Sequence, residues 1–237
     1  MRPLISVIIP IFNHAHLLER ILLSLANQSY RPLEVVIVND GSTDNFLEVM
    51  KRIQHREPFV SLHGKVFCQN NQGAAAARNR GFKESTGQFI IFWDADTVAK
   101  PEMLEKMMAV LLVHDEAAYV YSKYCFGWKK MKSREFDLKA LKKFNYIDTT
   151  SLMRREVFGG FDEQLKRFQD WDLWLTLASC GKQGIFLPET LYKKIVGRRR
   201  GMSSWLPGFL YHLPWKTKQV KSYEAAQAII LKKHRLT

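Results

Sequence analysis

The sequence has few cysteines and lacks any long apolar run. Its three cysteines, Cys68, Cys125 and Cys180, lie far apart among 237 residues. This spacing predicts neither a disulfide framework nor a zinc site, and it indicates a reducing compartment. No segment approaches the roughly 20 apolar residues that a bilayer span requires. We therefore expect a globular protein that is soluble or only peripherally bound to a membrane.

The chain also lacks the features of a secretory signal near its start. Residues 4–10 form a short apolar run after one arginine, and no small-residue cleavage site follows them. A signal peptide ends its apolar region at such a site. We therefore interpret these residues as the first strand.

Acidic residues are scarce in two stretches, which hold the excess positive charge. The formal net charge is +13; residues 123–143 contain eight Lys/Arg and two Asp/Glu, and residues 197–237 contain nine and one. Such stretches attract polyanions, either nucleic acid or an anionic membrane surface, where each cation contributes about 1 kcal/mol. A basic surface that is merely solvated is the alternative.

Short apolar runs alternate with helical segments along most of the chain. This alternation predicts an α/β fold with a mostly parallel central sheet flanked by helices. Strands are predicted at residues 4–10, 33–39, 60–67, 88–93, 119–126, 146–153, 184–187 and 191–196. Helices are predicted at residues 14–27, 44–54, 73–84, 101–114 and 170–180.

The C-terminal part breaks this alternation. Four aromatic residues surround two prolines between residues 205 and 215, and a basic helix is predicted at residues 217–235. We therefore predict a domain of residues 1–204 and a basic, aromatic-rich helical extension of residues 205–237. The extension either packs on the domain or faces a membrane.

Two aspartates, Asp94 and Asp96, follow the apolar run of residues 89–93. In open α/β sheets, ligands bind just beyond the carboxyl ends of buried strands. Two carboxylates at that point can hold Mg²⁺ through oxygen and leave other positions for water and phosphate oxygens. The pattern predicts a metal–diphosphate site, with a solvated turn as the alternative.

The earlier strands end in residues that suit a nucleotide. Pro10 and Asn13 follow the first run, and Asp40 follows the second, where its carboxylate can accept hydrogen bonds from a base. A glycine, Gly73, opens a helix of small residues whose Arg78 offers a planar cationic fork for a diphosphate. A simple turn at Asp40 and a well-packed alanine helix are the alternatives.

The apolar helix predicted at residues 170–180 begins with an acidic residue, Asp170. At a helix start the peptide dipole favours the ionised carboxyl, which can take a proton from an incoming hydroxyl. Trp171 and Trp174 would then wall a pocket. An ordinary helix cap is the alternative.

Five motifs in this order resemble the family 2 glycosyltransferases, which have the GT-A fold. They are SVIIPIFN at residues 6–13, VNDGSTD at 38–44, NQG at 71–73 with ARNRG at 77–81, DAD at 94–96, and GGFDE at 159–163 before QDWDL at 169–173. The resemblance covers residues 5–204. It implies that a sugar passes, with inversion, from a nucleotide diphosphate sugar to a hydroxyl of a glycan or lipid-linked acceptor. It also implies a divalent cation, Mg²⁺ or Mn²⁺.

The resemblance assigns a role to each matching residue. The donor nucleotide would be bordered by Pro10 and Asn13, with its base at Asp40 and its ribose near Asp94, and Arg78 would lie close to the donor. Gly73 is counted among the donor-binding residues. The cation would be held by Asp96, with Asp94 beside it, and Asp170 would be the catalytic base.

Two positions depart from the family pattern. The family's base usually follows an acidic residue, but Gln169 precedes Asp170 here, which leaves the pKa of the base open. Many members carry a histidine in the segment matching residues 192–201, where this chain has no histidine but five basic residues: Lys193, Lys194, Arg198, Arg199 and Arg200. One or more of these cations would neutralise the diphosphate, unless they form a solvated loop.

Two rival functions belong to other classes. Nucleotidyltransferases that make activated sugars share this architecture. The Gly-rich loop that is typical of them after the first strand does not follow residues 4–10 here. A nucleic-acid-binding module is suggested by the charge, yet the basic stretches lie outside the donor residues. We expect no nucleic-acid partner, and we expect a cytoplasmic enzyme, peripheral on the inner face of the cell membrane, that extends a cell-surface polysaccharide.

Overall fold

A nine-stranded sheet organises the part of the chain described by this computed structural model, residues 2–195 and 217–236. The strands are β1 (Ile5–Ile11), β2 (Leu33–Asp40), β3 (Lys65–Gln69), β4 (Phe89–Phe92), β5 (Thr97–Ala99), β6 (Ala117–Phe126), β7 (Lys129–Lys130), β8 (Leu152–Arg154) and β9 (Gln183–Lys194). Their order is β3-β2-β1-β4-β8-β6-β9-β5, and β7 pairs with β6 outside this path.

Seven helices cover the sheet or follow it in the described residues. They are α1 (Leu18–Ala26), α2 (Phe46–Ile53), α3 (Ala74–Glu84), α4 (Met103–Val113), α5 (Leu138–Leu141), α6 (Gln169–Ser179) and α7 (Lys218–Lys233). Two short 3-10 turns lie at Ala15–Leu17 and Arg155–Val157. No described helix is both long enough and apolar enough to cross a bilayer.

The first half of the sheet is parallel. Strand β1 lies between β2 and β4 and pairs in parallel with both. Every residue of β2 and β4 is buried, which is why β4 and residues 35–38 of β2 read as unbroken apolar runs. Parallel ladders hold most of the paired residues of the sheet. The predicted α/β class, a mostly parallel sheet flanked by helices, is confirmed.

Strand β8 joins this half to the remainder of the sheet. It runs antiparallel to β4, with Leu152 opposite Ile91, and antiparallel to β6. The residues that precede β8 therefore enter the sheet beside the carboxyl end of β4. At the same end, the last residue of β9, Lys194, lies opposite Thr97 of β5 and opposite Phe126 of β6.

Apolar clusters pack on both faces of the sheet. One contains the buried sides of α1, α2 and α4, and the other contains those of α6 and α7. Trp171 and Trp174 are at most 1% exposed, and their indole N–H groups donate to the backbone oxygens of Leu141 and Ile147. These two tryptophans are therefore core residues, and the expectation that they wall an open pocket is wrong.

Four predicted strands differ from the observed ones. The segment of residues 60–64 is a turn, so the third strand begins only at Lys65. Residues 146–151 form an irregular segment before β8. The two strands predicted at residues 184–187 and 191–196 are one strand, β9, because register shifts against Ser122 and Lys123 of β6 accommodate the Pro188 region.

Helix α7 packs against the start of α6. Val220 and Ile230 are fully buried, and the Tyr223 ring meets the Phe168 ring edge-on at 5.0 Å. The aromatic cluster of residues 205–215 lies outside the described residues, as do Arg198, Arg199 and Arg200. The division of the chain at residue 204 therefore stays a prediction.

Candidate active site

The start of helix α3 is fixed by a buried aspartate, Asp40, at the end of β2. Its carboxylate accepts hydrogen bonds from the Gln69 side chain at 2.9 Å and from the backbone N–H groups of Gln72 at 2.9 Å and Gly73 at 2.8 Å. Gly73 has φ +96°, a conformation that favours glycine. Asp40 therefore positions the first turn of α3, and its predicted contact with a base stays a prediction.

Asn13 connects the first motif to the second. Its side-chain oxygen accepts the Thr43 N–H at 2.8 Å, and its own N–H donates to the Ser42 hydroxyl at 3.0 Å. Pro10, three residues earlier, lies in β1 opposite Val38 of β2. Pro10 and Asn13, the two residues predicted to border the nucleotide, thus lie at the carboxyl ends of the first two strands.

One turn into α3, Arg78 joins two distant parts of the chain. One nitrogen of its guanidinium, Nη2, lies 2.8 Å from Asp94 Oδ1, and the other, Nη1, lies 3.0 Å from Gln169 Oε1. Its side chain is 11% exposed. A planar fork can hold two acceptors at fixed positions, which an ammonium cannot do. Arg78 therefore ties the Asp-x-Asp segment to the residue before Asp170.

The next residue of α3, Asn79, holds the Gly-Gly-Phe-Asp-Glu segment. Its side chain donates to the Phe161 carbonyl at 2.9 Å and accepts the Phe161 N–H at 2.7 Å. The side chain also donates to Glu163 at 2.8 Å. Helix α3 therefore contacts the second, fourth and fifth motifs while itself forming the third.

A lysine, Lys194, bridges two carboxylates in the site. Its Nζ lies 2.8 Å from Asp94 Oδ2 and 2.7 Å from Asp148 Oδ1. Burial opposes charge on Asp94, but Lys194 and Arg78 outweigh it and hold the pKa of Asp94 well below its ordinary value. Burial likewise opposes charge on Lys194, yet Asp148 and Asp94 raise its pKa well above the ordinary value. Both groups are therefore charged at neutral pH.

Asp96 has a different environment from Asp94. Its Oδ1 is buried and has no hydrogen-bond partner among the described residues, and burial together with the charges of Asp94 and Asp148 raises its pKa to about 6. Both oxygens of Asp94 are occupied by Arg78 and Lys194. Of the two predicted metal ligands, Asp96 is the one with an unused oxygen in this geometry.

The described residues contain no group of three His, Cys, Asp or Glu side chains able to hold a metal ion. Mg²⁺ is commonly held by one or two carboxylates together with substrate phosphates and water, so a single open carboxylate fits such an ion. The unpartnered Oδ1 of Asp96 is the observation that supports this fit. The role of Asp94 as a second ligand stays a prediction.

Asp170 lies in the first turn of α6, and both its oxygens are held. Oδ1 accepts the backbone N–H of Trp171 at 2.9 Å, and Oδ2 accepts the side-chain amide of Asn145 at 2.8 Å. Burial, followed by the charge of Asp148, raises its pKa to about 6. A carboxylate with this pKa is ionised at neutral pH and basic enough to accept a proton.

Two site residues, Asn145 and Asp148, were not among the sequence predictions. They lie in the segment before β8, which was predicted to be a strand. Asp148 also accepts a hydrogen bond from the Tyr192 hydroxyl at 3.0 Å, and Tyr192 stacks on Tyr124 with ring centroids 5.1 Å apart. No motif in the sequence marks either residue. Their polar character was the only available signal.

The basic residues predicted to replace the family histidine have different locations. Lys194 lies inside the site, whereas Lys193 is exposed. The other three lie outside the described residues.

The predicted site residues therefore form two groups joined by α3. Asp94, Asp96 and Asp170 lie around Arg78, Lys194 and Asp148, while Pro10, Asn13, Asp40 and Gly73 lie at the ends of β1 and β2 and the start of α3. The first group combines two firmly held cations with two carboxyls whose pKa values are about 6. Such a site can bind a cation through the open oxygen of Asp96 and accept a proton.

Comparison with known proteins gives a family match over most of the chain. The family described as Glycosyl transferase family 2 matches residues 6–161. An uncharacterised glycosyltransferase of Escherichia coli, YibD, is 38% identical over 123 residues, which are 52% of this chain and 35% of that protein. The chain spans about a third to a half of the length of the first curated relatives that it matches.

A more distant relative has a more specific description. The GalNAc(5)-diNAcBac-PP-undecaprenol beta-1,3-glucosyltransferase of Campylobacter jejuni is 28% identical over 169 residues, covering 70% of this chain and 52% of that protein. Its name describes a lipid-linked diphosphate acceptor.

Solved structures share the fold at low sequence identity. S. aureus TarS 1-349 in complex with UDP-GlcNAc has a TM-score of 0.71 at 22% identity, over 97% of this chain and 72% of that chain. The mannosyltransferase PcManGT from Pyrobaculum calidifontis, in complex with GDP-Man and Mn²⁺, has a TM-score of 0.67 at 22% identity, over 99% and 63% of the two chains.

Proposed function

This chain belongs to glycosyltransferase family 2 and has the GT-A fold, and we propose that it transfers a sugar, with inversion, from a nucleotide diphosphate sugar to a hydroxyl of a glycan or lipid-linked acceptor. The observation that carries this proposal is the Arg78 bridge. It places the Asp-x-Asp segment, through Asp94, beside the helix that begins with Gln169 and Asp170.

The donor diphosphate is proposed to bind next to Lys194 and Arg78. Besides the open oxygen of Asp96, the Nε of Arg78 is buried and has no hydrogen-bond partner in residues 2–195 and 217–236. Buried polar groups are nearly always hydrogen-bonded, so a bound ligand can be the partner of these two atoms. Arg78 Nε offers a donor to a phosphate oxygen, and Asp96 offers an acceptor to Mg²⁺ or Mn²⁺. When bound, such a cation offsets the charge on a departing diphosphate.

The nucleoside is proposed to lie toward the ends of β1 and β2. Pro10 and Asn13 would border it, Asp40 would lie at the base, and Asp94 would lie near the ribose. Two structural neighbours are described in complex with UDP-GlcNAc and with GDP-Man. These two structures share the fold of this chain. The panel of donors described below measures which base and sugar it prefers.

Asp170 is proposed to be the catalytic base. It takes the proton of the acceptor hydroxyl as that oxygen forms a bond to the anomeric carbon of the donor sugar. The bond from that carbon to the diphosphate breaks, and its electron pair leaves with the nucleoside diphosphate. Attack opposite the leaving group inverts the anomeric configuration. Asn145 and the Trp171 N–H keep the carboxylate oriented.

Gln169 has a structural reason to be neutral at the position where the family usually has an acid. Its Oε1 accepts from Arg78 at 3.0 Å, and its Nε2 donates to the Leu165 carbonyl at 2.7 Å. An acidic side chain could accept from Arg78 but could not donate to the carbonyl. We propose that Gln169 orients the start of α6 while Arg78 keeps its charge available to the donor.

The acceptor is proposed to be a membrane-linked precursor of a cell-surface polysaccharide, reached from the cytoplasmic side by peripheral contact. The name of the Campylobacter relative and the formal net charge of +13 support this proposal. A basic surface favours anionic lipids and phosphorylated lipid carriers.

A panel of nucleotide sugars tests the function. The purified chain is incubated with uridine, guanosine and thymidine diphosphate sugars and Mg²⁺ or Mn²⁺, and released products and thermal shift are measured. We expect free nucleoside diphosphate from at least one donor. Pyrophosphate release would instead indicate a nucleotidyltransferase, and no response to any donor would contradict the donor site.

A further inference from the structure

The hairpin between β6 and β7 presents an isolated tryptophan to solvent. Trp128 is 97% exposed, the highest value among the large hydrophobic side chains of the described residues. Phe126 pairs with Lys129, so Gly127 and Trp128 form a two-residue loop. Gly127 has φ +60°, which suits the first position of such a loop. The indole therefore stands at the tip of an ordered hairpin.

The hairpin opens a stretch of residues 127–144, here called the basic segment. It contains seven Lys/Arg and two Asp/Glu, a net charge of +5. Six of its lysines are exposed: Lys129, Lys130, Lys132, Lys139, Lys142 and Lys143. Leu138 and Phe144 are also exposed, at 38% and 43%. Exposed tryptophan together with many lysines is typical of surfaces that lie in the headgroup region of anionic bilayers.

Both ends of the basic segment reach the candidate active site. At its start, the Gly127 N–H donates to the Lys194 carbonyl at 2.8 Å. At its end, Phe144 directly precedes Asn145, whose amide donates to Asp170 at 2.8 Å. A surface contacted by this segment would therefore lie beside the lysine of the donor side and the base of the acceptor side.

We propose that the basic segment docks the protein on an anionic phospholipid surface, with Trp128 inserted at headgroup depth and the lysines against lipid phosphates. This docking rests on the proposed function, because it would serve to bring a lipid-linked hydroxyl to Asp170. Charge complementarity selects anionic lipid over neutral lipid. Single-stranded nucleic acid would need several aromatic side chains for successive bases to stack on, whereas this hairpin presents one indole.

Vesicle co-sedimentation with the full chain tests the docking. Vesicles of phosphatidylcholine alone are compared with vesicles that also contain phosphatidylglycerol, without donor or acceptor. We expect binding to the anionic vesicles only. Trp128→Ala should weaken this binding about tenfold, because the buried indole is lost. Lys130→Ala with Lys132→Ala should weaken it about fivefold for each charge removed.

A matched pair of changes on α2 serves as the control. Leu47 is 64% exposed and Lys51 is exposed, so Leu47→Ala with Lys51→Ala removes similar groups from another surface and should bind vesicles like wild type. Donor hydrolysis without vesicles, measured on every variant, should be unchanged. If the wild-type protein hydrolyses no donor, the proposed function is contradicted. If it hydrolyses donor but does not bind anionic vesicles, only the docking proposal is contradicted.

Three results would overturn the docking proposal. The first is wild-type binding to neutral vesicles as strong as to anionic ones. The second is wild-type affinity in Trp128→Ala. The third is tight, salt-sensitive binding to an oligonucleotide, lost in Lys130→Ala with Lys132→Ala, together with no vesicle binding.

Discussion

At the scale of single residues, local environment gives three nearby carboxyls different acid strengths. Asp94 has two cations within 2.8 Å, and its pKa stays well below the ordinary value despite burial. Asp96 and Asp170 have no such direct partners, and burial raises the pKa of each to about 6. The same residue type is therefore a strong acid in one position and a weaker acid in the other two.

The pKa of Asp170 predicts the pH dependence of the reaction. A general base acts when deprotonated, so kcat for donor hydrolysis should rise with pH through about 6 and level off above it. In Asp148→Asn a nearby negative charge is removed, which favours the ionised form of Asp170 and lowers its pKa. The acidic limb of the pH–rate profile should shift to lower pH. A limb that stays in place or moves upward would contradict the assignment.

The Arg78 bridge predicts a difference between two arginines on one helix. Arg78→Lys keeps a positive charge but cannot contact Asp94 and Gln169 together, so one charge-assisted hydrogen bond is lost. We expect kcat/KM for the donor to fall about tenfold. Arg80→Lys is the control, because the Arg80 side chain is 40% exposed and contacts other residues, Glu84 at 3.8 Å and the Cys68 carbonyl at 3.3 Å. Equal effects of the two changes would contradict the bridging role.

At the scale of elements, the strand ends and α3 were predictable and the segment before β8 was not. An apolar run that stops at an aspartate marks both a buried strand and its carboxyl end, so Asp40, Asp94 and Asp96 were found from sequence. Asp148 follows no such run. Its position depends on β8 entering the sheet antiparallel beside β4, which is a tertiary pairing that local patterns do not encode.

At the start of α6, Asp172 contacts helix α7 and the residue after it, and these contacts predict an effect on the free energy of unfolding. Asp172 is 4% exposed, and its two oxygens contact Lys233 at 2.9 Å and His234 at 2.7 Å. Asp172→Ala should lower the free energy of unfolding by about 1–3 kcal/mol, because His234 and Lys233 each lose an acceptor, while Lys233 keeps its contact with Asp162 at 2.7 Å. Urea unfolding measures this. Lys232→Ala, at an exposed position of α7, should change it by less than about 0.5 kcal/mol, and equal losses would contradict the contact.

At the scale of the whole molecule, the site is assembled from residues that are far apart in sequence. Lys194 pairs with Asp94 across 100 positions and with Asp148 across 46. The α/β fold and the order of the motifs follow from periodicity and strand ends. The ion pairs cannot be predicted in this way, because the sequence around Lys194, one of several basic residues, does not indicate which carboxylates it contacts. Sequence therefore predicted which edge of the sheet brings these carboxylates together, but not which lysine pairs with them.

The central claim is that one site contains a donor half around Asp96 and a separate base, Asp170. The most direct test combines calorimetric titration of the active nucleotide sugar, with and without Mg²⁺ or Mn²⁺, and turnover in three proteins. Asp170→Asn should bind donor like wild type while kcat falls about 10²- to 10⁴-fold. Asp96→Ala should lose the metal-dependent part of donor binding. Full turnover in Asp170→Asn, or unchanged metal-dependent binding in Asp96→Ala, would contradict the account.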